Sequence, residues 1–168
     1  MAAAAGRIVQ LSVSRGGVPK RAVPEARVGL LGLEGDTHDY RHHGGPERAV
    51  CLFPQELIRT LAAEGHAIAP GVIGENVTTE GLDWSLVVPG AHLQLGDQVL
   101  LRVTRYTSPC TKIATVFTGG DHGRVSQKLH PGVSRVYASV LVEGVVRVGD
   151  VVRLVGAREA AQPGAPVR

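Results

Sequence analysis

The chain has 168 residues, of which 43% are hydrophobic. That is enough for one domain with a full core, and too apolar for a disordered chain. Glycine and proline occupy 32 positions, about 19% against a usual share of about 12%, which argues against a helical bundle because they are the poorest residues for helix interiors. The formal net charge is +3 with Lys and Arg scattered along the chain, which argues against the basic stripe of a nucleic-acid-binding domain.

In chain order, Arg7 to Val13 alternates, with Val9, Leu11 and Val13 on one face, and reads as a strand. Residues 14–26 read as a loop. Arg27 to Leu33 is apolar but holds Gly29 and Gly32, so a strand there is bent or bulged. A polar stretch, Gly35 to Arg48, precedes a short apolar strand from Ala49 to Phe53, in which Cys51 reads as core. Gln55 to Glu64 is the strongest helix: Leu57, Ile58, Leu61 and Ala62 share a face, Pro54 suits the start and Gly65 the end.

Val77 to Thr79 is β-prone. His92 to Leu95 and Gln98 to Tyr106 are β-prone runs around Gly96-Asp97. Pro109 to Phe117 reads as a short helix with Ile113, Val116 and Phe117 inward. Val136 to Val142 and Val145 to Val155 are strands, with Glu143-Gly144 as a hairpin turn between them. Gly149-Asp150 echoes Gly96-Asp97, as two similar corners of one barrel would. The expected fold is mainly β: a closed or semi-open barrel of short strands with a few short helices, over residues 7–155. Residues 156–168 are expected to be a flexible tail.

Two cysteines, Cys51 and Cys110, are too few for a secreted disulfide scaffold and read as free thiols. No apolar run reaches the ~20 residues of a membrane span. The opening Met-Ala-Ala-Ala-Ala-Gly lacks the charged and apolar regions of a signal peptide, so a cytoplasmic protein is expected.

Four stretches carry reactive or polar groups. In Gly35 to Pro46, three of the seven histidines (His38, His42 and His43) fall within six residues, beside Asp36, Asp39 and Arg41. This is either a zinc site, a polar turn bonded to its own backbone, or a pocket wall in which Arg41 meets an anion. In Gly74-Glu75-Asn76, Asn76 offers both a donor and an acceptor, or merely opens a strand after a glycine turn. In Arg105 to Lys112, Cys110 follows Pro109 at the expected start of a helix, where free N–H groups favour a thiolate. The alternative is a buried, inert cysteine. Asp121 to Arg124 is a polar loop in which Arg124 either completes an anion site or faces solvent.

Taken in order, Gly35-Asp36, His42-His43-Gly44-Gly45-Pro46, Gly74-Glu75-Asn76, Gly96-Asp97 and Ser108-Pro109-Cys110 resemble the MOSC domain family, named after the C-terminal domain of molybdenum cofactor sulfurases. The resemblance spans roughly residues 7–155 and looks like the stand-alone members. It implies a β-barrel in which Cys110 ligates the molybdenum of a pterin-bound cofactor, Mo-molybdopterin. Asp36, His38, His42, Asn76, Arg105, Ser108 and Lys112 become candidate pocket residues, and Arg41, His43, Arg105, Lys112 and Arg124 candidate groups for the cofactor and its phosphate.

The implied activity is reduction of N-hydroxylated substrates, such as hydroxylamino bases or amidoximes, to amines. His38 or His42 would supply protons. An external electron donor, a flavin reductase or ferredoxin, is expected, because two cysteines cannot hold a four-cysteine cluster. The alternatives are a sulfur carrier with a persulfide on Cys110, a non-catalytic cofactor-binding module, and a zinc site at His38, His42 and His43. No nucleic-acid or membrane partner is expected. A homodimer would supply groups that larger relatives draw from a second domain.

Overall fold

Alternation of buried aliphatic and outward polar residues builds short strands along nearly the whole chain. The computed structural model describes residues 5–38 and 44–162. Its strands are β1 (Ala5–Val13), β2 (Arg21–Val23), β3 (Glu25–Gly29), β4 (Gly32–Leu33), β5 (Val50–Pro54), β6 (Val77–Glu80), β7 (His92–Leu95), β8 (Val99–Tyr106), β9 (Val136–Val142), β10 (Gly144–Arg147) and β11 (Val151–Val155). One nine-residue helix, α1 (Gln55–Ala63), links β5 to β6, and a four-residue turn of helix, α2 (Ala157–Ala160), follows β11. The remaining helical pieces are 3-10 turns.

Seven strands close into a barrel in the order β1-β11-β7-β8-β9-β5-β6 and back to β1. β5 and β6 are parallel, joined through α1, and the other barrel pairs are antiparallel. β1 closes the ring by dividing its length. Its first residues pair with β11 (Gly6 opposite Val152), and its last pair with β2 (Leu11 opposite Val23). β10, β3 and β4 form a separate small sheet.

Two apolar clusters follow from the pleat. Ile8, Leu11, Leu52, Leu93, Leu95, Leu101, Val103, Val136 and Val152 belong to the larger one, which the barrel strands enclose. Phe53 points the other way from Leu52 and packs with Ile58 and Leu61 of α1, and with Ile73, Ile113, Phe117 and Val125. Trp84 packs against both, meeting Phe53 edge-on at 6.4 Å between ring centres. The outer face of β5 is therefore covered by α1 and 3-10 segments. This layer frames the candidate site.

The barrel expected from the sequence is present. α1 ends at Ala63, one residue before the expected Glu64, and Gly65 beyond it, with a φ of +99°, lets His66 N–H donate back to Leu61 O. The Pro109 to Phe117 region forms a 3-10 turn over Thr111–Val116, with Ile113 and Phe117 buried as expected. Three readings differ. Residues 14–26, read as a loop, hold β2 and the start of β3. Ala157–Ala160, read as tail, forms a helical turn with Ala160 buried. The hairpin at Glu143-Gly144 is absent: β10 pairs with β3, not β9. A single residue separates β9 from β10, too few to reverse the chain. Gly144 lies tight against the Gln98 side chain, whose Oε1 accepts from Val145 N–H at 3.1 Å, and the strand runs on into the second sheet.

Gly6 marks where closure leaves no room. A Cβ there would run into Glu80 O and lie 2.8 Å from Leu82 N, both backbone atoms. Gly6→Ala is expected to lower stability by about 1–3 kcal/mol, the usual range for overpacking. Urea unfolding would show this as a lower midpoint with an unchanged m-value.

Candidate functional site

β5 and β9 run antiparallel with Cys51 opposite Tyr137. Leu52, Val136 and Ala138 face the barrel cluster. The alternate residues, Cys51, Arg135 and Tyr137, face outward. Above them lie Gly17 to Lys20, Thr37-His38 and Ser108 to Ile113, and together these segments line a cavity with an open mouth.

Cys110 is a free, partly exposed thiol on this wall. It sits in extended backbone just before the Thr111–Val116 turn, and its carbonyl accepts from Ile113 N–H at 3.2 Å. Cys51 lines the same cavity but is only 5% exposed. Burial pushes its thiol up to about 12, so it stays protonated near neutral pH.

The wall is held by one buried polar lattice. Asp36 Oδ1 accepts from Lys20 Nζ at 2.6 Å and from Ser14 N–H at 2.9 Å. Asp36 Oδ2 accepts from Asn76 Nδ2 at 2.9 Å. Asn76 Nδ2 also donates to Ser12 O, and its Oδ1 accepts from Cys51 N–H at 3.0 Å. His38 Nε2 lies 3.7 Å from Asp36 Oδ2. Burial lowers the His38 pKa and outweighs the pull of Asp36, with Lys20 acting in the same direction as burial. The ring is therefore neutral at pH 7.

Four cationic side chains line the cavity: Lys20, Arg48, Lys112 and Arg135. Among the described residues, no carboxylate does. The Arg48 guanidinium lies 5.8 Å from the centre of the Tyr137 ring, close enough for a cation–π contact. Burial, helped by neighbouring Cys51, pushes the Tyr137 hydroxyl up to about 12. Glu75 is fully buried beside the wall, and its Oε1 accepts from Gly71 N–H at 2.5 Å and Thr78 Oγ1 at 3.2 Å. Burial raises its carboxyl above the usual range.

The profile of the MOSC domain matches residues 39–153, which carry most of the barrel and the Cys110 segment. This protein belongs to the MOSC domain family. The chain is 33% identical to the protein YiiM of Escherichia coli over 136 residues, 72% of this chain and 59% of YiiM. It is 34% identical to a protein named reductase from Gibberella moniliformis over 90 residues, 51% of this chain and 16% of that one. It thus spans less than two thirds of either relative. The crystal structure of YiiM from Geobacillus stearothermophilus superimposes with a TM-score of 0.70 at 26% identity, covering 90% of this chain and 75% of that one. Among the described residues, no helix is long and apolar enough to cross a membrane.

In this MOSC barrel, His38, Asn76, Ser108, Cys110 and Lys112 line one cavity, with Asp36 bonded behind them. Asn76 and Asp36 spend their polar atoms on protein groups, so they act on the site by positioning it. Two expected cofactor contacts lie elsewhere. Arg105, beside the register shift in β8, turns outward to pair with Glu47 at 3.3 Å. Arg124 grips both carboxylate oxygens of Glu64 at 2.8 Å, away from the cavity wall. Arg41, His42 and His43 lie outside the described residues, so the zinc arrangement with His38 does too. No group of three or more His, Cys, Asp or Glu able to hold a metal occurs among the described residues.

Sequence reasoning missed Lys20, Arg48, Arg135 and Tyr137. Alternation carried one residue back from Val136 would have placed Arg135 and Tyr137 opposite the core face. Nothing local marked Lys20 or Arg48. Cys51, read as apolar core, is buried as expected but belongs to the cavity wall.

Two stability effects follow. Asp36→Ala would leave Lys20, 7% exposed, without its counter-charge, an expected loss of about 3–5 kcal/mol in denaturant unfolding. Glu75 has a folded pKa above its unfolded 4.5, so its stabilising contribution is present below pH 4.5 and is lost as pH rises through the folded value. Glu75→Gln is expected to flatten this fall, read as melting temperature against pH.

Proposed function

We propose that this MOSC protein is a molybdenum-cofactor oxidoreductase that reduces N-hydroxylated bases or amidoximes to amines. The observation that supports it is one free, accessible thiol, Cys110, on a cavity wall with four cations and no carboxylate among the described residues. A soft thiolate suits a high-valent metal that needs anionic sulfur. A single protein ligand suits a group that brings its other donors with it, and the cationic wall suits a phosphate-bearing pterin. The reductase name of the Gibberella relative supports the reaction class.

When bound, the cofactor would supply the two electrons that break the N–O bond and would take up the substrate oxygen. The chain does the rest. Cys110 would hold the metal, and Arg48 and Lys112 would hold phosphate through charge-assisted hydrogen bonds. Ser108 adds a hydroxyl beside them. His38 would pass a proton at Nε2 or Nδ1 to the departing oxygen. Arg105 and Arg124 leave the phosphate set because neither lines the cavity. Electrons come from an external flavin reductase or ferredoxin. Because burial lowers the His38 pKa, its proton is available chiefly in acid. The rate is expected to rise as pH falls below 6.5, and His38→Gln should remove that limb of the pH–rate profile.

A sulfur carrier is the second reading, favoured by the same free Cys110 in a cavity where no cluster of further metal ligands was found among the described residues. Elemental analysis of protein from cofactor-making cells separates the two. Near-stoichiometric molybdenum that disappears in Cys110→Ala is expected, together with reduction of a hydroxylamino purine by an artificial donor. Absent molybdenum with cyanide-labile sulfur on Cys110 would establish the carrier. Full metal and activity in Cys110→Ala would refute both.

A further inference from the structure

Much of the polar chemistry in and behind the cavity wall is already spent. Asn76 bonds to Cys51, Ser12 and Asp36, and Asp36 holds Lys20 Nζ. Arg135 Nη1 donates to Ile73 O. Arg135 Nε and Glu75 Oε2, a donor and an acceptor, are both sealed from solvent, so neither atom is offered to a ligand.

Tyr137 differs. It stands on β9 opposite Cys51 of β5, and it lines the cavity together with Cys110. Its ring is half-buried, and the Arg48 guanidinium lies over the ring face. Its main-chain carbonyl accepts from Thr104 Oγ1 at 3.2 Å, whereas its hydroxyl has no partner among the described residues. That hydroxyl is not one of the buried, partnerless atoms, so it is open to the cavity. Negative charge on either thiol, Cys51 or Cys110, opposes its ionisation, which places it within electrostatic reach of both. Burial is the larger effect, and the hydroxyl stays protonated up to about pH 12. A neutral O–H donor of constant charge therefore stands near the accessible thiol, in a wall otherwise rich in cations.

We infer that Tyr137 is a specificity-determining residue, whose hydroxyl donates a hydrogen bond to the oxygen of the substrate N–O group. The inference rests on the reductase reading and states how that site tells an N-hydroxylated base from its amine. A hydroxylamino purine and the corresponding amino purine differ by one oxygen and are both uncharged near neutral pH. Cations separate them poorly. A placed donor separates them because its hydrogen bond is left unmade when the amine binds. No bond forms or breaks at Tyr137, and the proton for the departing oxygen stays with His38.

The test titrates 6-hydroxylaminopurine and adenine by calorimetry at pH 7. The protein comes from cofactor-making cells and is kept oxidised without an electron donor, so that no turnover occurs. Wild type is expected to bind the hydroxylamino base about tenfold more tightly, roughly one hydrogen bond. Tyr137→Phe keeps the ring under Arg48. It should weaken the hydroxylamino base alone and bring the two affinities together, with molybdenum content and cooperative thermal unfolding unchanged. With an artificial donor, the variant should lose about tenfold in kcat/KM and keep the acid limb assigned to His38. Should the variant not fold, wild-type crystals soaked with 6-hydroxylaminopurine decide, since its oxygen is expected within hydrogen-bonding distance of Tyr137 Oη. Equal affinities in wild type, an unchanged preference in folded Tyr137→Phe, equal weakening of both bases, or a base oxygen away from Tyr137 overturns the inference. Absent molybdenum or absent turnover, with the Tyr137-dependent preference intact, overturns the reductase reading alone.

Discussion

The carboxamide of Asn76 is the point on which the site depends. It is 2% exposed and joins three parts of the chain: Cys51 on β5, Ser12 on β1, and Asp36 in the loop that follows β4. Asp36 then carries the bond on to Lys20 and Ser14. Only an amide can serve here, because Cys51 requires an acceptor while Ser12 and Asp36 require donors. Each group in this lattice is buried and partnered, which is the condition for a polar network to order a wall instead of weakening it.

The second constraint is the pleat of β5 and β9. One set of side chains fills the barrel, and the other set meets α1, the 3-10 turns and the cavity. A cavity on the outside of a barrel wall needs a second layer to enclose it. Phe53, Ile113 and Phe117 provide that layer by packing beside the cavity instead of inside the barrel. The two cysteines show how much depth matters across this wall. Cys51 lies on the strand, with its thiol pushed up to about 12 by burial, whereas Cys110 lies on the overlying loop, partly open to the cavity. The same side chain is inert in one place and available in the other.

Charge is arranged just as locally. The chain carries only a +3 balance, yet the cavity gathers four cations and, among the described residues, no lining carboxylate. Acidic partners take the other candidates away: Glu47 holds Arg105, and Glu64 holds Arg124. The field in the cavity therefore comes from which cations line it, not from net charge.

Local pattern was enough for the barrel, α1 and the Cys110 segment, because period-two alternation and glycine breaks act over a few residues. The ordered motifs from Gly35 to Cys110 were also enough for the family. What local pattern could not supply was pairing. The run after Val142 has ordinary strand character, but a one-residue connection cannot reverse the chain, and Gly144, close against Gln98, continues into the second sheet. Lys20 and Arg48 have nothing in their neighbourhoods to mark them, and Arg105 and Arg124 looked equally suited to an anion. Sequence by itself determined most of the barrel strands, where Cys110 lies and which family this is, though it left β2 in a loop. Tertiary structure decided which cations face the cavity, because that depends on carboxylates 58 and 60 positions away in the chain.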